Sequence, residues 1–215
     1  MDVTEKRYLE LLSRSFPTAA KASAEIINLS AILNLPKGTE FFASDIHGEY
    51  EAFSHILRNG SGSIRLKIDD VFGDALSEGE KRSLATLIYY PREKMELVLS
   101  QTDDPQGWYE AVLPLLVAVC KRAAQKYTRS RVRKALPRDF AYIIEELMTE
   151  NSQGADKQAY YAAIIDAVIR TDRVGALIEA LCLLIQRLAI DHLHIIGDIY
   201  DRGPSTDVIM ATLQG

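Results

Sequence analysis

Two short segments carry residue types that can do chemistry together, Ser44-Asp45-Ile46-His47-Gly48 and Gly197-Asp198-Ile199-Tyr200-Asp201-Arg202-Gly203. Between them they offer carboxylates, an imidazole and a guanidinium. Each follows an apolar run that reads as a strand, Phe41-Phe42-Ala43 and Leu193-His194-Ile195-Ile196. Asp45 and His47 stand at i and i+2 where the first strand runs out, a spacing that turns both side chains to one face. Hard cations take carboxylate oxygen and borderline ones accept imidazole nitrogen as well, so this pair suits Mn, Fe or Zn better than Ca. Asp198 falls at the end of what reads as a buried parallel strand, where open α/β sheets gather their ligands. A carboxylate there is the candidate hub between two cations. Arg202 adds a planar fork of donors that matches phosphate oxygens, and Gly203-Pro204 breaks the chain behind it. Asp-Ile-His-Gly alone is no more than a strand ending in a turn. Gly-Asp-x-x-Asp-Arg-Gly is more specific, and the two together point to two-metal hydrolysis of a phosphoester.

The elements that must position these residues follow from hydrophobic periodicity. Residues 4–15 and 17–35 read as amphipathic helices; the second, rich in Ala and Ile, could cover the sheet or a second protomer, which leaves a homo-oligomer open. A strand is expected over 40–44 and a helix over 49–58, stopped by Asn59-Gly60. The Gly- and Ser-rich residues 59–63 read as a hinge. Beyond them the pattern is almost wholly helical. Ser77 and Glu80 have capping-box spacing, Asp104-Pro105 is a second helix start, and Val174, Leu177, Ile178, Leu181, Leu184, Ile185 and Leu188 form one long apolar stripe. The expected organisation is residues 1–68 as N-terminal helices and a first β-α unit, 69–190 as an all-α insertion, and 191–215 as the second strand with its phosphate-binding loop. The fold class is α/β. The two strands should lie adjacent and parallel, with the helical body bulging outward between them.

Composition narrows the class. The 215 residues are 47% apolar and 26% charged with a net charge of −5, enough for a core and without a global drive toward nucleic acid. No segment has the layout of a signal peptide, and the longest apolar run, 111–120, is interrupted by Pro114 and far short of the roughly 20 residues that span a bilayer. The expected address is the cytoplasm, with no membrane partner. Cys120 and Cys182 sit in apolar helical patterns and read as inert buried thiols. His55 and His192 read as surface or packing residues, and His194 as a weaker functional candidate. Lys121, Arg122, Lys126, Arg129, Arg131, Arg133, Lys134 and Arg138 crowd into eighteen positions. They could form an anion site, but a solvated face paired with Glu145, Glu146 and Glu150 is the expected reading.

The two segments resemble the first two signatures of the calcineurin-like metallophosphatase superfamily. They lie 153 positions apart here, far more than in most of that superfamily. That interval, with the flanking Phe-Phe-Ala-Ser-Asp-Ile-His-Gly-Glu-Tyr and His-Ile-Ile-Gly-Asp-Ile-Tyr-Asp-Arg-Gly-Pro, is similar to the class 3 fructose-1,6-bisphosphatases of bacteria. The resemblance covers the N-terminal third of such enzymes. It implies a calcineurin-like β-sheet fold interrupted by the helical insertion, with Asp45, His47 and Asp198 as metal ligands. It further implies that Arg202 grips the substrate phosphate, that Asp201 orients a catalytic histidine, and that the cofactor is Mn²⁺ at a two-metal site, with Mg²⁺ as the alternative. The implied reaction converts fructose 1,6-bisphosphate to fructose 6-phosphate and phosphate in gluconeogenesis, with a phosphorylated sugar as partner. The family's third signature, Gly-Asn-His-Asp/Glu, is absent, and no Asn-His pair occurs in the chain. The chain therefore reads as part of a longer enzyme and by itself is expected to be inactive. Competing readings are a Ser/Thr protein phosphatase, a dinucleoside polyphosphate hydrolase, a helical module that binds nucleic acid or an acidic partner, and an assembly element without activity.

Overall fold

The computed structural model describes residues 2–149 and 155–214. The chain divides into two units, residues 1–37 with 126–128 and residues 38–125 with 129–215. The first unit holds α1 (Val3–Ser15) and α2 (Ala19–Ile32). Glu5 reaches back to the Asp2 N–H at 3.0 Å, and Thr18 Oγ1 accepts from Lys21 N at 3.2 Å, so each helix starts on a side-chain cap. α2 is shorter than the expected 17–35. Thr18 takes the capping position at its start, and the chain leaves the helix ahead of Pro36, whose ring disfavours helical geometry in the residue before it.

The second unit joins a small sheet to a helical body. Its elements are β1 (Glu40–Ala43), α3 (Tyr50–Asn59), α4 (Ser63–Phe72), α5 (Glu78–Tyr89), α6 (Pro91–Leu99), α7 (Pro105–Ala124), α8 (Arg129–Ala135), α9 (Ala141–Thr149), α10 (Ala155–Arg170), α11 (Val174–Ala189), β2 (His192–Ile195) and α12 (Thr206–Gln214). The helix starts read from the sequence are present. Ser77 Oγ accepts from Glu80 N at 3.3 Å while Glu80 bonds back to Ser77 N at 2.8 Å, and Asp104 Oδ1 accepts from Gly107 N at 2.9 Å. Residues 59–63 make a tight turn. Gly60 closes α3 in the left-handed region at φ 61°, Asn59 Oδ1 accepts from Gly62 N at 3.0 Å, and α4 begins at once.

The apolar stripe over 174–188 is the axis of the helical body. Leu177, Ile178, Leu181 and Ile185 on α11 are fully buried, as are Leu113, Leu116 and Val119 on α7, which packs against it. Complete burial of such a side chain contributes about 1.5–3 kcal/mol, so this interface accounts for much of the unit's cohesion. α7 runs through Pro114 and forgoes the backbone bond that Pro cannot donate. Cys120 and Cys182 lie in the same core; burial pushes the Cys120 thiol up to about 12 and raises that of Cys182 as well, so both stay protonated.

The sheet is two-stranded and parallel, with Glu40 opposite His192, Phe41 opposite Leu193, Phe42 opposite His194 and Ala43 opposite Ile195. The overall class is thus α/β with a helical bulk. Both strands end earlier than the motifs suggest, at Ala43 and Ile195. A second apolar cluster, Ala43, Ile46, Phe53 and Ile209 with Phe41, Leu193, Ile195 and Ile199 around it, lies beneath the loops that follow. Among the described residues no helix is long and apolar enough to cross a membrane.

Candidate metal centre

The two loops leaving the parallel strands are held to each other by backbone. Ile196 N donates to Ala43 O at 2.9 Å, which extends the ladder one step past the strands. His47 N then donates to Asp198 O at 2.7 Å, Gly48 N to Ile199 O at 2.9 Å, Gly203 N to His47 O at 2.6 Å and Ser205 N to Gly48 O at 3.1 Å. These bonds satisfy the polar backbone where regular pairing has ceased. They also bring Gly48 and Gly203 into direct contact. A Cβ on Gly48 would stand 2.7 Å from Gly203 O, and one on Gly203 would meet the His47 carbonyl oxygen. Both glycines stand where two backbones touch, and Gly48 also adopts a left-handed φ of 71°.

Asp45 and His47 do not share a face by strand alternation, because β1 ends two residues before Asp45. Left-handed backbone brings them together instead. Asp45, His47 and Asp198 have φ of 56°, 49° and 53°, and Arg202 has 78°. Such conformations cost on the order of 1–3 kcal/mol each in non-glycine residues and gather at functional sites. Burial of the intervening apolar residues holds the turns in place. Ile46, 6% exposed, is drawn into the apolar cluster while Asp45 stays exposed beside it, and Ile199 packs against the same cluster next to exposed Asp198.

One ligand atom each from Asp45, His47 and Asp198 lie within 4.8 Å of one another. Two donors 2.0–2.6 Å from a shared divalent ion stand at most about 5 Å apart, so this spacing fits one cation. The protonation pattern fits too. His47 Nδ1 lies 2.8 Å from Asp201 Oδ1, and an ionised carboxylate only accepts, so Nδ1 carries a proton, and the neutral imidazole then offers its lone pair at Nε2. Nε2 faces Asp45 Oδ1 at 3.5 Å. Ser44 Oγ donates to the other Asp45 oxygen at 2.8 Å. With the imidazole neutral, His47 Nε2 and the carboxylates of Asp45 and Asp198 are acceptors gathered at one point, an arrangement a cation relieves.

Asp201 and Arg202 flank this cluster. The His47 hydrogen bond is the main reason the Asp201 carboxyl sits below its ordinary range, with a smaller contribution from Arg202. Arg202 is exposed, and its Nε lies 3.4 Å from Asp201 Oδ2. The imidazole that Asp201 engages within this chain is therefore His47. Sequence reasoning missed Ser44, Gly48 and the Gly48–Gly203 contact; the only available signal was a glycine directly after each chemically active stretch.

The remaining candidates lie elsewhere. His55 Nδ1 is 2.6 Å from Tyr90 Oη, with the two rings stacked, so it packs. His194 stacks on Phe42 at 4.6 Å and faces Glu40 at 3.5 Å, and neither it nor His192 joins the metal-ligand group. Three members of the basic stretch pair with carboxylates: Arg122 with Asp70 at 2.6 Å, Arg131 with Asp191 at 2.9 Å and Arg133 with Glu145 at 2.6 Å. Glu150, the third expected acidic partner, lies outside the described residues.

Residues 7–215 match the family model described as Firmicute fructose-1,6-bisphosphatase. The chain belongs to that family. It is 59% identical over 98% of its length to the class 3 fructose-1,6-bisphosphatase of Alkaliphilus metalliredigens, covering 32% of that protein. It is 60% identical over 96% of its length to one from Clostridium beijerinckii, covering 31% of it, and 58% identical over 98% to that of Bacteroides thetaiotaomicron, covering 32%. The chain thus spans about a third of the length of the curated fructose-1,6-bisphosphatases it matches. No solved structure matches it.

Proposed function

We propose that the intact protein hydrolyses fructose 1,6-bisphosphate to fructose 6-phosphate and phosphate with the help of divalent cations, on a calcineurin-like scaffold and in the cytoplasm. The observation that carries this reading is the convergence of Asp45, His47 and Asp198 at the ends of two parallel strands, in a chain of the fructose-1,6-bisphosphatase family. Asp45, His47 and Asp198 would hold a cation; the donor set suits Mn, Fe or Zn, and the resemblance implies Mn²⁺. When bound, the cation supplies positive charge against the phosphoryl oxygens and makes a water molecule nucleophilic near neutral pH. Arg202, exposed and partnered only by Asp201 among the described residues, binds the phosphate through its fork of N–H donors and offsets charge that develops on the equatorial oxygens. Ser44 fixes one oxygen of Asp45, leaving the other turned toward His47. The strained loops are fastened by four backbone hydrogen bonds, so the donors are preorganised before any ligand arrives.

The donors present here complete one cation site and not two, so the 215-residue chain alone is expected to release phosphate no faster than background. Phosphate release from fructose 1,6-bisphosphate, with and without Mn²⁺, tests both statements. The intact protein should be Mn²⁺-dependent and lose activity on Asp198→Asn. An Asp198→Asn protein with full turnover would refute the role of that carboxylate, and Mn²⁺-dependent turnover by the 215-residue chain would refute the one-site reading.

A further inference from the structure

The geometry points to Asp201 as the positioning residue of His47: its carboxylate fixes the imidazole in the tautomer and orientation that present Nε2 to a cation, and so sets metal affinity instead of acting on substrate. This rests on the metal reading above and names the residue that makes it work. His47 is held from both ends by one loop. Its carbonyl accepts from Gly203 N at 2.6 Å, and its ring Nδ1 donates to Asp201 Oδ1 at 2.8 Å, across 154 positions of sequence. The loop in turn closes on itself, Gly203 N also reaching Asp201 O at 3.1 Å. A ring whose backbone and Nδ1 are both fixed has no freedom to turn Nε2 away from Asp45 and Asp198. The nitrogen that binds a metal is set by the hydrogen bond the other nitrogen makes.

The second oxygen of Asp201 lies 3.4 Å from Arg202 Nε. One carboxylate thus ties the metal ligand to the candidate phosphate-binding guanidinium. The resemblance gives this aspartate a catalytic histidine to orient, whereas His47, a metal ligand, already occupies its Oδ1. The two roles separate experimentally, because an aspartate that acts only on a catalytic histidine leaves metal affinity untouched.

The test is an Mn²⁺ titration of the protein, free ion being read by electron paramagnetic resonance, for wild type, Asp201→Ala and Asp201→Asn. Nitrogen-15 shifts of the His47 ring in metal-free protein provide a second readout, and thermal melts check folding. Loss of such a carboxylate partner typically costs about 10- to 100-fold in metal affinity. That loss is expected for both variants with little change in melting temperature. Wild type should show His47 protonated at Nδ1, and Asp201→Ala a mixture of tautomers. Asparagine, free to donate, should favour the wrong tautomer, as the analogous change does in the serine protease triad. Wild-type affinity in both variants, or a wild-type ring protonated at Nε2, would overturn the inference while leaving the metal site standing. Absence of Mn²⁺ binding by wild type would overturn the metal reading and this inference with it. If the variants unfold, the wild-type ring shifts alone decide.

Discussion

Replacing Gly203 by alanine should open the site without touching a single candidate ligand. Gly203 has no left-handed φ, so its backbone conformation suits alanine and the contact is isolated as the only variable. The new Cβ would stand 2.6 Å from the Gly48 carbonyl carbon and 2.8 Å from its oxygen, and would meet the His47 carbonyl oxygen as well. Non-bonded carbons settle at about 3.5–4.0 Å, so the loops must part by roughly 1 Å. All the obstructing atoms are backbone and cannot rotate away. The bond from Gly203 N to His47 O, 2.6 Å in the native loop, would then stretch past the hydrogen-bonding range, and that from Ser205 N to Gly48 O would follow. Two such bonds at about 0.5–1.5 kcal/mol each, plus about 1–3 kcal/mol of overpacking, give a loss of roughly 2–6 kcal/mol. In a chain of this length that corresponds to a fall of roughly 4–24 °C in Tm. Mn²⁺ affinity should drop about 10- to 100-fold, since donors displaced by roughly 1 Å no longer converge. Gly62→Ala is the control. Gly62 has φ 81° but open space around it, so alanine there should cost only about 1–2 kcal/mol for its backbone conformation and leave Mn²⁺ affinity alone. A Gly203→Ala protein that melts and binds Mn²⁺ like wild type would refute the argument that this contact assembles the site.

Three further outcomes follow from the same structure. Arg202→Lys in the intact protein should cut kcat/KM on a phosphate ester at least about tenfold, because lysine keeps the charge and loses the fork, while Tm stays within about 1 °C because the side chain is exposed. Ser77→Ala removes the reciprocal cap of α5 and should cost about 1 kcal/mol in urea unfolding. Asp69 and Glu78 titrate below their ordinary values chiefly because the Lys81 ammonium lies 3.1 Å from an oxygen of each carboxylate, with Arg65 also facing both, and Lys81 titrates above its own. The depressed carboxylates contribute stability that is present above pH about 4 and lost as pH falls through their folded values. The raised lysine contributes stability that is present below pH about 10.4 and lost as pH rises through its folded value. Lys81→Met should flatten both limbs of a stability profile measured by urea unfolding, and two unchanged limbs would show the network to be inert.

The sequence by itself determined which atoms could do chemistry and roughly where they would meet. Asp-x-His-Gly and Gly-Asp-x-x-Asp-Arg-Gly are local patterns, and each follows an apolar run short enough to be a strand. Parallel pairing follows because the helical body between the two strands is long enough to serve as the crossover that parallel neighbours need. Helix starts at Ser77 and Asp104 were legible because a cap is a contact between residues three apart. Only the tertiary structure decided how the ligands converge. Both strands stop short of the motifs, and left-handed turns at Asp45, His47 and Asp198, anchored by buried Ile46 and packed Ile199, do what strand alternation was expected to do. The partner of Asp201 was equally out of reach, since a hydrogen bond to His47 spans 154 positions and leaves no local periodicity. The glycines at 48 and 203 stood in the motifs as ordinary turn formers; Gly48 serves a left-handed φ of 71°, and both also meet a backbone-to-backbone contact that exists only once the two loops are docked.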